Sequence, residues 1–299
     1  ASSAASDVYK RQADDKTAGA GTAENAAKSG VAAILAKDSD EAIAKAKQLL
    51  SVLPANNLET AGNDYYMEND AAVSADLKGI ELISSVADKE SVIELYKQFG
   101  TSAVTAIGSL NWRTAGFVAT NNGAKLTADD SAKIARFVTL CDAYSIPVVT
   151  FVDSEGFEKS SAAELAGSIR DSAKLAQAYA SATTAKIAVV TGKAYGSAYV
   201  ALASTAAGSD FTFAWEGAVI APTTPEAAVV FLNGVSEDNA KQAQEYADNE
   251  ADAFTAAANG YVDRVITAED TKSALTSAIE ATSSKRVVTP AKKHVNFVY

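Results

Sequence analysis

The chain has 299 residues, 48% of them apolar and 8% aromatic, which excludes a disordered or fibrous protein and leaves room for one large domain or two smaller ones. The net charge of −11 argues against nucleic acid as the main partner, because phosphate contacts need a basic surface. No apolar run reaches the ~18 residues of a membrane span and no signal-peptide core opens the chain, so a cytoplasmic location is expected. The single cysteine, Cys141, excludes an intrachain disulfide and a Cys-rich metal site, and no metal is expected.

In chain order, residues 1–21 are small and polar without apolar periodicity, as in a disordered stretch or a cloning or sequence-assembly remnant. A helix is predicted over Ser39 to Val52. The carboxylates around Asp38 suit its start, Ile43, Ala46, Leu49 and Leu50 form its apolar face, and Pro54 stops it. The stretch from Ala61 to Ala75 has no clean period and reads as a crossing between domains, which puts the boundary near Ala75.

Helical spacing is read over Ser91 to Gln98. Ser102 to Ile107 and Thr114 to Thr120 then form a hairpin about Asn111. Thr127-Ala128-Asp129-Asp130 is a capping box opening a helix to Tyr144, and Ile146 to Val152 is a buried strand. Cys141 shares a helical stripe with Ile134, Phe137 and Val138, which makes it a core residue. A long helix over Ala162 to Ala182 should turn Leu165, Ile169, Ala173 and Ala176 inward. Beyond it, Phe211 to Trp215 and Ala218 to Ala221 are strands, and Pro225 opens a helix at a first-turn position. Glu237 to Ala258 and Thr271 to Ser283 are mostly helical, with Asn259-Gly260 as a left-handed helix end.

The stretch that organises the chain is Gly192-Lys193-Ala194-Tyr195-Gly196-Ser197-Ala198-Tyr199. It follows the β-branched run Lys186 to Thr191 and enters an Ala-rich segment, so it reads as strand, sharp turn, helix. The first turn of a helix leaves its N–H groups without internal partners, and at the positive end of the helix dipole two of them can hold a developing negative oxygen. A Gly-bearing turn that merely packs a helix on a sheet has the same local pattern.

Five segments in order resemble the carboxyltransferase subunits of biotin-dependent acyl-CoA carboxylases and decarboxylases, of the propionyl- and methylmalonyl-CoA type. They are Ala132 to Phe137 with Cys141 to Pro147, Lys193 to Tyr199, Phe213-Ala214-Trp215 leading to Pro225-Glu226, Ala256 to Ile266, and Pro290 to His294. The resemblance implies a crotonase-like (ClpP/crotonase) α/β fold, a ββα superhelix. Residues 22–75 would be the end of a preceding carboxyltransferase domain plus a linker, and 76–299 a biotin-side domain. It further implies carboxyl transfer between carboxybiotin and the α-carbon of an acyl-CoA. Biotin would arrive on a separate carrier domain or subunit, with biotin carboxylase or decarboxylase subunits and further copies of the chain as partners.

Carried over residue by residue, the family's backbone oxyanion donors fall on Ser197 and Ala198, beside the turn glycine Gly196. Ser197 stands where the family has Gly, which puts the turn's geometry in question. Tyr195, Tyr199, Val200, Gly156, Phe157 and Lys193 fall at substrate-binding positions. Val200 would line the acyl pocket, and Gly156-Phe157 belong to a loop that has lost the family's Pro. Lys193 would neutralise a carboxylate or a CoA phosphate, or is simply solvated. The basic cluster Lys292, Lys293 and His294 would contact CoA phosphates or a carrier, or is an exposed tail. No nucleotide fingerprint is present, so ATP-dependent charging of biotin is assigned to another polypeptide. Two other readings stay open at this point: another crotonase-like acyl-CoA hydratase or isomerase, and a non-catalytic fragment or scaffold of a carboxylase complex.

Overall fold

The computed structural model describes residues 21–56, 59, 67–120 and 125–288. The expectations for residues 1–20, for most of the 57–66 stretch and for Lys292, Lys293 and His294 lie outside these.

Among the described residues, three helices lead into the sheet: α1 (Ala23–Lys28), α2 (Ser39–Val52) and α3 (Gly79–Val86). Strand β1 (Ile93–Leu95) pairs antiparallel with β2 (Ala103–Leu110), which forms a hairpin with β3 (Arg113–Thr120). From there the sheet is parallel: β3 pairs β4 (Val148–Ser154), β4 pairs β5 (Lys186–Tyr195), and β5 pairs β6 (Phe211–Trp215). Strand β7 (Val219–Ala221) pairs the far half of β5, and β8 (Arg264–Ile266) closes the edge against β6. Helices α4 (Ala128–Ala143), α5 (Ser161–Leu165), α6 (Ser168–Ser181) and α7 (Gly196–Leu202) connect the parallel strands. Helices α8 (Pro225–Asn233), α9 (Asn239–Asn249), α10 (Ala253–Ala258) and α11 (Thr271–Ala281) complete the order.

Alternation along the strands sorts the core into two layers. Ile107, Val118, Val148, Val152 and Val190 face Ile134, Phe137, Val138 and Cys141 of α4 and Leu175 and Tyr179 of α6. Ala106, Phe117, Val149, Phe151, Ile187 and Val189 face Leu82, Ile83 and Val86 of α3 and Leu275 and Ile279 of α11. Cys141 is fully buried, as its stripe predicts, and burial pushes its thiol pKa far up. It packs where Gly116 lacks a side chain; a Cβ there would lie 2.5 Å from the sulfur.

The capping box of α4 is present in full. Thr127 Oγ1 accepts from Asp130 N, and Asp130 Oδ2 accepts from Thr127 N. Asp130 also accepts the Ala103 N–H at 3.0 Å, which ties the helix start to β2.

Three expectations change. Ser91 to Gln98 is not helical: Ile93–Leu95 is an edge strand, and the run is too short for periodicity to separate helix from strand. The long helix breaks at Gly167, whose φ of +92° leaves the α region, so α5 and α6 are separate and their inward faces are reset. Leu165 and Ile169 are 90% and 67% exposed and Ala173 is also exposed, while Asp171, Leu175 and Tyr179 turn inward. On α2, Ile43, Ala46 and Leu50 are exposed and only Leu49 of the expected face packs on the core. Helix α3 and strand β8 carry too few residues to have been read.

Candidate functional site

The carboxyl ends of β4 and β5 build the site, which is where open parallel sheets bind ligands. Pairing between these strands is regular from Val148↔Lys186 to Val152↔Val190 and then slips to Ser154↔Ala194. The slip makes room for the Asp153 carboxylate, whose Oδ1 accepts the Lys193 N–H at 3.0 Å. Strand β5 then turns at Gly196, φ +55°, directly into α7. A Cβ at Gly196 would come within 2.9 Å of the Pro222 carbonyl oxygen, so the turn requires glycine for its conformation and for this approach. Ser197 does not have a positive φ, so the departure from glycine there introduces no left-handed strain. Helix α7 has no side-chain cap, and its opening N–H groups, those of Ser197 and Ala198 among them, have no intrahelical acceptor.

Gly156 and Phe157 form the facing wall. Gly156 has φ +110°, and its N–H donates to Ser154 Oγ at 3.2 Å. Its carbonyl accepts from Leu126 N, and Glu158 N donates to the Leu126 carbonyl, each at 2.9 Å. These bonds pin the loop beside Phe157, which packs on the core.

A cleft of about 240 Å³ lies between wall and turn. Gly156, Phe157, Tyr195, Gly196 and Ser197 line it, together with Pro222, Thr223, Thr224, Glu155 and Lys159. The Pro222 to Thr224 segment and Lys159 were missed by sequence reasoning. The signal for the former was the Gly196 turn, which needs a close backbone neighbour; nothing singled out Lys159. Ala198 is fully buried behind the turn.

Other selected residues stand apart from the cleft. The Lys193 ammonium donates to Glu155 Oε1 at 2.7 Å, and this bond raises its pKa. Tyr199 points away and donates its hydroxyl to the Tyr261 carbonyl at 2.6 Å; burial pushes its pKa up to about 12. Val200 is 52% exposed on the outer side of α7. Burial also raises the pKa of Tyr195, which packs with Ala221 and Ala251. A larger cavity of about 350 Å³, bordered by Arg113, Thr184, Lys285 and Arg286, lies at the opposite end of the strands and contains none of the selected residues. Among the described residues no group of three or more His, Cys, Asp and Glu could hold a metal, and no helix is long and apolar enough to cross a membrane.

The family model for the carboxyl transferase domain matches residues 3–297. The chain belongs to this family. It is 36% identical, over 88% of its length, to the methylmalonyl-CoA carboxyltransferase 12S subunit of Propionibacterium freudenreichii, of which it covers 54%. It is 34% identical, over 90% of its length, to methylmalonyl-CoA decarboxylase subunit alpha of Veillonella parvula, covering 56% of that protein. A solved transcarboxylase 12S, a hexamer assembly with methylmalonyl-coenzyme A and methylmalonic acid bound, superposes with a TM-score of 0.84 at 35% identity. That match covers 92% of this chain and 58% of the solved one. The fold is crotonase-like, and the chain spans about half the length of the curated relatives it matches.

Proposed function

We propose that the chain is the biotin-side part of an acyl-CoA carboxyltransferase, moving a carboxyl group between carboxybiotin and the α-carbon of a propionyl- or methylmalonyl-type acyl-CoA. The observation that carries this reading is the Tyr195-Gly196-Ser197-Ala198 turn, which opens an uncapped helix onto a cleft walled by Gly156 and Phe157. The cleft would suit a small cyclic urea, since Gly156 and Gly196 line it without side chains.

Biotin, when bound, supplies the ureido nitrogen that carries the carboxyl group. The Ser197 and Ala198 N–H groups would be the donors to a ureido oxygen seated at the turn and would stabilise negative charge there. Fixed donors of this kind stabilise a transition state more than a ground state, and each accounts for about 10²-fold or more in rate. Tyr195 and Phe157 flank the ring and exclude water. Val200, on the outer side of α7, would meet the acyl chain.

Leu165, Ile169, Val200, Phe231 and Val235 are among the large apolar residues left exposed. They suit coverage by a further copy of the chain or by an upstream carboxyltransferase half, residues 22–75 being the end of such a half. A carrier bearing biotin, and carboxylase or decarboxylase subunits, would be the other partners. A hydratase or isomerase would need positioned acid/base carboxylates. Among the described lining residues only Glu155 is acidic, and it is tied to Lys193. The test is transfer of labelled carboxyl from methylmalonyl-CoA to biotin by the chain mixed with an upstream carboxyltransferase half: the reading requires biotin-dependent release of propionyl-CoA, and hydration or isomerisation of an enoyl-CoA in its place would replace it.

A further inference from the structure

Two charged side chains line the cleft, Glu155 and Lys159. Glu155 is already engaged, its Oε1 lying 2.7 Å from the Lys193 ammonium, so that pair nearly cancels. Lys159 differs. It sits two residues beyond Phe157, just before Ser160, the N-cap of α5, and it is exposed. Its ammonium is bound to no carboxylate, carbonyl or hydroxyl among the described residues. The other lining groups are uncharged, so Lys159 is the lining cation not paired with a carboxylate, although the Asp153 and Glu226 carboxylates also act on Tyr195 in the cleft wall.

We infer that Lys159 is a specificity-determining residue that favours the anionic, N-carboxylated cyclic urea over the neutral one. This rests on the reading of the cleft given above. The two forms differ by one negative charge, carried by the carboxylate attached to the ureido nitrogen, and a cation at the cleft edge attracts only the form that has it. For an exposed pair the expected preference is modest, about threefold to fivefold, and it weakens as salt shortens the screening length. By linkage, the same preference shifts the equilibrium on the protein toward the carboxylated form. Because Lys159 is exposed and supports no described hydrogen bond, replacing it should leave the fold intact.

The test is competition binding on the full chain. A fluorescent biotin amide is displaced either by neutral biotin amide or by N-carboxybiotin amide, at mildly alkaline pH where lysine stays protonated. Lys159→Ala should weaken the carboxylated ligand by about threefold to fivefold and leave the neutral one unchanged. Lys159→Arg should restore the preference, Lys159→Glu should weaken the carboxylated ligand by roughly tenfold, and about 1 M salt should compress all these differences. Equal losses for both ligands, or no change in either, would overturn the inference while leaving the cleft assignment standing. If the unsubstituted chain binds neither ligand, the cleft assignment itself fails and this inference goes with it.

Discussion

The Asp153 carboxylate occupies the space that a side chain at Gly192 would need: a Cβ on Gly192 would lie 2.6 Å from Asp153 Oδ1. The same oxygen accepts the Lys193 N–H, and the Asp153 N–H donates to Thr120 Oγ1 at 2.7 Å. Asp153 thereby fixes the end of β4, and the wall that follows it, against the strand leading into the turn. Gly192→Ala should push the carboxylate aside and loosen the cleft at a cost of about 1–3 kcal/mol in stability. Thermal unfolding together with biotin affinity checks this; an unchanged Tm and unchanged affinity would show that the slot is not tight.

Ser197 and Ala198 are assigned roles through their backbone. Ser197→Ala should preserve transfer, whereas Ala198→Pro removes a donor and should lower kcat by about 10²-fold. Proline is tolerated in the first turn of a helix, so circular dichroism should show an intact fold. An Ala198→Pro variant that transfers carboxyl at the unsubstituted rate removes the assignment.

Lys133 is buried, and its ammonium donates to the carbonyls of Ala103 at 2.7 Å and Gly100 at 3.2 Å. Burial lowers its pKa to about 8, below the 10.5 of a free lysine. Between these values the unfolded chain binds more protons than the folded one, so this group adds stability as pH rises through that window, up to about 3 kcal/mol. Cys141 acts in the opposite direction above its ordinary range, since its raised pKa means that the folded thiol keeps its proton. Comparing unfolding free energies of the unsubstituted chain and Lys133→Met from pH 7 to 9 isolates the lysine term. The difference should shift in favour of the unsubstituted chain as pH rises; a pH-independent difference would contradict it.

The acyl side of the proposal rests on Val200. Val200→Asp should change the ratio of kcat/KM among acetyl-, propionyl- and longer acyl-CoAs by about tenfold, because a carboxylate replaces apolar surface against the acyl chain. An unchanged ratio would take Val200 out of the pocket.

The parts of the fold legible in sequence were those with strong local chemistry. The Thr127 to Asp130 capping box, the turn at Asn111, Pro225 at a helix start and the Cys141 stripe each name their own geometry, and each is found in place. Ser91 to Gln98 was misread because three strand residues at a sheet edge carry no period of their own. The run from Ala162 to Ala182 was misread because one glycine, Gly167, resets the helix and with it the buried face. At the candidate site, the turn was readable as strand, turn and helix from its own residues, while Gly156 and Phe157 were singled out only by the family resemblance; all of them border the cleft. Thr223, Thr224 and Lys159 reach the cleft only through tertiary packing, and no local pattern marks them.

The most direct measurement is carboxyl transfer from methylmalonyl-CoA to free biotin by the 299-residue chain, alone and mixed with a separately produced upstream carboxyltransferase half. In the proposed reading that half completes the acyl-CoA side of the site, since the chain spans about half the length of the relatives it matches. The account predicts biotin binding but little transfer by the chain alone, and acyl-CoA-dependent transfer on mixing. Full turnover by the chain alone, or none from the mixture while both parts are folded, would contradict it.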